Sequence, residues 1–211
     1  MRTPKAKCIT AVLLAVAGFA LQQARADVMS ILNVGNPDLT GGGNNPPYGT
    51  VTVSLSGNTA TITFTAAASY LFGGVNAVDV NVNGAFTLGT ITDNGAGTFS
   101  QDMSGMSNVD GFGDFNLRLN DTDGFGDAAS IVSFTITGSW ANAASVLAFN
   151  SGGGNGGPSD AAAHIFPVDG SKTGFAAETG PFTNVPDGGA TAMLLGMALT
   201  AVGAVRRFAI S

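Results

Sequence analysis

The chain predicts an all-β body built as an antiparallel β-sandwich or jelly roll. Three observations carry that expectation. Apolar residues alternate with threonine and serine over runs of about eight residues, as in half-buried strands. Gly-Asn and Asn-Gly pairs stand between such runs, where hairpins need their turns. Glycine is abundant, at 31 residues, and charged residues make up only 10%, a composition that favours short strands and turns over amphipathic helices.

Val51, Val53 and Leu55 alternate with hydroxyl residues, Gly57-Asn58 supplies a two-residue turn, and Ala60, Ile62 and Phe64 alternate on the return. This predicts a hairpin with one wet face. A second hairpin is expected from Val78, Val80 and Val82 through Asn83-Gly84 to Phe86, Leu88 and Ile91. A third pairing sets Phe115, Leu117 and Leu119 against Val132, Phe134 and Ile136. Residues 36–49 and 151–158 are rich in glycine and proline and read as flexible loops. Residues 170–184 are polar and short of large aliphatics, so they read as a stalk. Trp140 follows Ile136 and is expected to close the core; beside Tyr48 and Tyr70 on an open face it would instead form a sugar-stacking platform.

Charge is distributed unevenly. All fourteen acids lie in residues 27–187, against two cations, Arg118 and Lys172, so this segment carries −12. Such a field repels nucleic acid and acidic polysaccharide and favours cations. Thirteen of the fourteen acids are aspartate, the residue of turns, caps and calcium loops. The sequence DGFGD occurs twice, at 110–114 and 123–127; with Asp121, the residues Asp110, Asp114, Asp123 and Asp127 place five carboxylates within eighteen residues. These five are candidate calcium ligands, since calcium takes about six to eight oxygens from carboxylates and turn carbonyls. The bidentate glutamate that closes an EF-hand loop is missing. The alternative is a pair of turns whose aspartates cap backbone N–H groups while Phe112 and Phe125 plug the sheet ends. No other cofactor is expected.

Signals for an enzyme are sparse. The single histidine, His164, stands at the edge of an expected loop, and a triad would require a serine and an acid from elsewhere. The sequence has no G-x-S-x-G elbow, no H-E-x-x-H and no G-x-x-x-x-G-K loop. Zinc has one histidine and no mature cysteine to hold it. A glycosidase using two of Asp110, Asp114, Asp121 and Asp127 is the weakest reading. A non-enzymatic body is expected, with a calcium- or carbohydrate-binding adhesive module as the alternative.

Both ends carry processing signals. Arg2, Lys5 and Lys7 precede an apolar run at residues 9–21, and Ala24-Arg25-Ala26 places small residues where signal peptidase needs them, so cleavage is expected before Asp27. Cys8 leaves with this leader, and neither a disulfide nor a thiol nucleophile remains. At the other end Val185, Pro186, Asp187, Gly188 and Gly189 form an entry motif. Pro186 blocks regular hydrogen bonding, and the glycines leave the backbone around Asp187 open to a protease. Sixteen uncharged residues follow at 190–205, close to the roughly 17–25 that span a bilayer. Arg206 and Arg207 then act as a cytoplasmic stop, placing the body outside.

This tripartite tail resembles the PEP-CTERM family of bacterial sorting signals and, more closely, its VPDSG-CTERM variant, with Gly188-Gly189 where the variant has Ser-Gly. The resemblance implies recognition by an exosortase, a membrane-embedded cysteine transpeptidase that cuts near the motif and passes the body to the cell surface or extracellular matrix. A plain membrane anchor is the alternative, although an anchor has no need of a Pro-Asp-Gly-Gly entry. The block from FGDFNLRLNDTDGFG through IVSFTIT to AAAHIFP is also similar to the extracellular bodies of many PEP-CTERM proteins.

The expected organisation is a signal helix at 1–26, an extracellular body at 27–169, a linker at 170–184 and a sorting signal at 185–211. That signal divides into the motif at 185–189, a transmembrane helix at 190–205 and a basic tail at 206–211. Signal peptidase and exosortase are the expected processing partners, with the inner membrane during sorting and extracellular polysaccharide afterwards; nucleic acid is excluded. The expected location is an inner-membrane precursor that becomes a surface or matrix protein.

Overall fold

The computed structural model describes residues 27–96, 98–102, 105–178, 180, 182–184, 196 and 198–200. The expectations placed on residues 1–26, Val185–Gly189, Arg206 and Arg207 lie outside them. In chain order the elements are β1 (Val28–Leu32), β2 (Val34–Gly35), a helical turn α1 (Pro37–Gly41), β3 (Gly49–Ser56), β4 (Thr59–Ala66) and β5 (Tyr70–Phe72). There follow β6 (Val78–Val80), β7 (Phe86–Asp93), β8 (Phe99–Gln101), β9 (Ser107–Val109), β10 (Gly113–Phe115), β11 (Leu117–Asp121) and β12 (Ile131–Gly138). A 3-10 turn (Ala143–Ser145) leads to β13 (Ala161–Pro167), β14 (Gly174–Ala177) and β15 (Thr183–Asn184).

The body is all-β and its sheets are antiparallel. One sheet runs β15-β1-β3-β4-β12-β7 and the other β2-β14-β13-β6-β11-β8, with β5 added to β13; β9 and β10 form a separate hairpin. Both sheets contribute to a single apolar cluster. Val51, Ile62, Phe64 and Phe134 enter it from the first, and Val78, Leu119, Ala163 and Ile165 from the second. Within it Phe64 is fully buried, edge-on to Phe72 at 6.0 Å and stacked with Phe134 at 6.4 Å.

The first expected hairpin forms as predicted: Ser56 pairs with Thr59 around Gly57-Asn58, and Gly57 adopts φ 60°, a left-handed conformation open to glycine at no steric cost. The other two pairings are corrected. β6 lies between β11 and β13, while β7 pairs with β12, so the chain crosses between sheets after Asn83-Gly84 instead of folding back on itself. β11 pairs with β6 and β8, and β12 with β4 and β7. Local turn chemistry permits a reversal, but which strands pair is decided by burial across the whole sheet.

The supposed flexible segments are also ordered. Buried Asn36 caps α1 by accepting from Leu39 N at 3.0 Å and also accepts from Phe175 N at 3.1 Å, and Tyr48 is fully buried. The glycines of 151–158 pack as bare backbone against 111–113: Asn155 N donates to Gly111 O at 2.8 Å. The stalk reading is corrected as well. β14 is inserted between β2 and β13 with Ala176 and Ala177 fully buried, β15 pairs with β1, and the described residues from 27 to 184 belong to one compact unit.

Gly196 and residues 198–200 are helical, and Thr200 Oγ1 donates to Gly196 O at 2.9 Å. Among the described residues no helix is long and apolar enough to cross a membrane.

Candidate functional site

The two DGFGD copies cover one face of the same strand. On β13, Ala162, His164 and Phe166 share the face opposite the main core. The first copy forms the turn of the β9–β10 hairpin, whose Val109, Phe112 and Phe115 are fully buried in a second cluster with Ala162 and Ala177. Gly113 has φ 88°, and a Cβ there would stand 2.7 Å from Gly152 O. The second copy lays Phe125 over the neighbouring part of β13, stacked on Phe166 at 5.0 Å and edge-on to His164 at 5.0 Å.

The aspartates divide accordingly. Asp110 Oδ2 accepts from Asn36 Nδ2 at 3.0 Å, and Asp114 is exposed opposite Asn108. Asp121, Asp123 and Asp127 gather at the second copy. Asp121 Oδ1 accepts from Thr98 Oγ1 at 2.5 Å, and burial raises its pKa. The adjacent Asp123 carboxyl raises that of Asp127 by hydrogen bonding and charge. Among the described residues no group of three or more His, Cys, Asp or Glu side chains is arranged to hold a metal ion.

Sequence reasoning missed two buried polar groups. Asp79 and Arg118 are cross-strand partners on β6 and β11, and Ala162 is the partner of Asp79 on the other side. Asp79 is 1% exposed and neither carboxylate oxygen has a hydrogen-bond partner among the described residues. Burial holds its pKa well above the usual range; Arg118 opposes this and the charge of Asp102 adds to it. Arg118 pairs with Asp102 at 3.2 Å and donates to Asn76 Oδ1 at 3.0 Å, and Asn120 donates to Asp102 at 2.9 Å. The second group is Asp160 with Glu178, 3% and 1% exposed. Burial, together with the adjoining Glu178 carboxyl, pushes Asp160 up to about 9, and burial also raises Glu178. Glu178 N donates to Ala161 O at 3.1 Å, which keeps the two carboxyls side by side. The available signal was an acid or a base flanked by aliphatics, in Val78-Asp79-Val80 and Leu117-Arg118-Leu119.

His164 sits within β13, not at the edge of a loop. It is half-buried between Phe125 and Phe175, its Nδ1 lies 3.1 Å from Val75 O, and burial lowers its pKa. Trp140 packs against the main core with Nε1 donating to Asn83 O at 2.7 Å. Tyr48 and Tyr70 are buried against each other at 5.4 Å, so the three rings do not share an open face.

At the sheet edge, β15 pairs with β1 through Val28–Asn184 and Met29–Thr183, and Thr183 Oγ1 donates to Met29 O at 3.1 Å. The chain runs from there directly into Val185. The VPDSG-CTERM motif matches residues 184–207, beginning on the last residue of β15. The chain thus carries the sorting motif of exosortase-processed, exported proteins. No curated protein and no solved structure matches it.

Proposed function

We propose that this protein is an exported, non-enzymatic β-sandwich, cut by an exosortase within residues 185–189 and delivered to the cell surface or extracellular matrix. The VPDSG-CTERM match, starting where the sheet ends, carries this reading. Leader removal before Asp27 exports the chain, the segment at 190–205 holds it in the inner membrane, and Arg206 and Arg207 keep the tail on the cytoplasmic side. The non-enzymatic role is supported by His164 and Trp140. The histidine is wedged between Phe125 and Phe175 with Nδ1 against Val75 O, and the indole is tied to Asn83.

The test is intact mass of the protein from its own host, with and without the exosortase. A chain beginning at Asp27 and ending within the motif, and absent from the strain lacking the enzyme, is the expected result. A chain retaining residues 190–211 in both strains identifies the tail as a plain anchor.

A further inference from the structure

β7 differs from the other strands at the sheet ends. It has β12 on one side and, among the described residues, no strand on the other. The remaining ends are short, two residues in β15 and β2 and three in β8, whereas β7 runs for eight. Its sequence, FTLGTITD, has no lysine, arginine or proline of the kind that keeps natural edges from pairing. Phe86, Leu88 and Ile91 pack against the main core but stay half-buried, while Ile136 and Phe134, the partners of Leu88 and Ile91 on β12, are fully buried.

The strand is also complementary to itself. Leu88 pairs with Ile136 and Ile91 with Phe134, so Gly89 and Thr90 stand against the single Thr135, a β-bulge in which Thr90 N donates to Thr135 Oγ1 at 3.1 Å. The extra residue shifts the alternation between the two halves. Without it Leu88 and Ile91 would face opposite sides of the sheet; with it both face the core, and Thr87 and Thr92 are both exposed. The backbone follows the same shift. Ser130 O accepts from Ala66 N and Gly138 N donates to Asn58 O, so Phe134 and Ile136 turn their backbone groups to β4. Their partners Ile91 and Leu88 therefore turn theirs away from β12.

Consider two β7 strands side by side and antiparallel, related by a two-fold axis between Gly89 and Thr90. Leu88 then lies opposite Ile91, backbone groups facing, and Thr87 lies opposite Thr92. Apolar side chains meet on the core face and hydroxyls on the wet one. The segment 27–187 carries −12, which opposes association, but Asp93 is the one charge on the strand. The two copies of Asp93 fall at opposite ends of the joint, roughly 24 Å apart at about 3.4 Å per residue and beyond the ~8–10 Å over which salt screens exposed charges.

We infer that β7 is an interface for a second copy of this chain, which pairs about this axis and continues the six-stranded sheet across both molecules. The contact uses the same strand of each copy, so it closes as a dimer. The inference goes beyond the exported reading above and does not depend on the exosortase cut.

The experiment uses two full-length chains in the native host, Thr87→Cys and Thr92→Cys, expressed alone and together, with the natural chain reporting any cross-link through Cys8. Purified protein is oxidised mildly, and dimers are read on a non-reducing gel and by intact mass. Positions 87 and 92 are opposite in the proposed pair, whereas each lies five residues, about 17 Å, from its own counterpart, beyond the ~7 Å that a disulfide bridges. Expected is at least about tenfold more cross-linked dimer from the mixture than from either chain alone. Leu88→Lys in both chains turns a charge inward beside the joint and is expected to bring the mixture down to the level of the single chains, with the natural strand signal in circular dichroism. A mixture without dimer overturns the inference, as does equal cross-linking in all samples. A cross-link to a different protein in place of the second copy overturns it, and so does a folded Leu88→Lys mixture that cross-links as before.

Discussion

Thr52, Thr63, Ser133 and Thr92 form one cross-strand row over β3, β4, β12 and β7, facing away from the core, whereas the corresponding face of the other sheet lies under Phe112, Phe115 and Phe125. The first sheet thus has one wet face and one dry one. The second is buried on both, and its outer layer contains the Arg118 network and Asp79. Four strands of hydroxyls need no partner beyond water and each other. A titratable group with little access to water needs a partner in the protein or must shed its charge. The two sheets share one core but differ in how much a single side chain can disturb.

The largest expected effect is at Arg118. Its removal leaves Asp102 without its buried cation and withdraws the positive charge that opposes the raised pKa of Asp79, so Arg118→Ala is expected to cost about 3–5 kcal/mol, the loss typical of breaking a buried ion pair from one side. Urea unfolding of the processed chain measures this. A loss below 1 kcal/mol would mean that the covered face tolerates uncompensated charge as the hydroxyl face does.

Acidity should separate the sheets next. Asp160 and Glu178 are raised in the folded state, so the fold binds more protons than the unfolded chain between the ordinary carboxylate range and about 9. Stability from this pair is full below the unfolded pKa and falls as pH rises through the folded one. The melting temperature is therefore expected to be higher at pH 5 than at pH 8. Asp160→Asn keeps the shape and removes the titration. It should raise stability at pH 8 by about 1–3 kcal/mol and flatten the slope. An unchanged slope would assign the pH dependence to Asp79.

These differences explain which parts of the molecule were legible. β3 and β4 could be read almost residue by residue, because a strand wet on one side alternates and Gly57-Asn58 closes the turn. β13 could not: Ala161, Ala162 and Ala163 are all fully buried, so the run has no period and resembles a loop. β14 hid for the same reason. Ala177 lies under the β9–β10 hairpin and Ala176 in the main core, and their smallness read as a stalk. The DGFGD repeat was visible, but its partners, Asn36, Gly152 and His164, come from remote positions in the chain. The sorting motif was legible because its residues act in sequence and need no fold to be recognised.

Glycine substitutions sharpen the same contrast with smaller effects. Gly57 and Gly113 are both left-handed, at φ 60° and 88°. A Cβ at Gly57 meets nothing, so Gly57→Ala costs only the conformational penalty of about 1–2 kcal/mol. At Gly113 the same atom also meets Gly152 O at 2.7 Å, where one backbone lies on another and cannot yield as a side chain would. Gly113→Ala should exceed Gly57→Ala in thermal denaturation, and the reverse order would place the hairpin farther from 151–158.

The smallest effect belongs to the hydroxyl row. Thr63 Oγ1 lies 2.9 Å from Ser133 Oγ, a contact that suggests a stabilising bond. Thr63 is only half-buried, however, so both hydroxyls can exchange each other for water, and the net value of such a bond is small. Thr63→Val retains the β-branched shape and strand preference while deleting the hydroxyl. It is expected to change stability by no more than about 0.5 kcal/mol in either direction, as surface substitutions do. A loss above 1 kcal/mol would make the row a cooperative network instead of a solvated face, and the wet sheet would then resemble the covered one in the property that separates them.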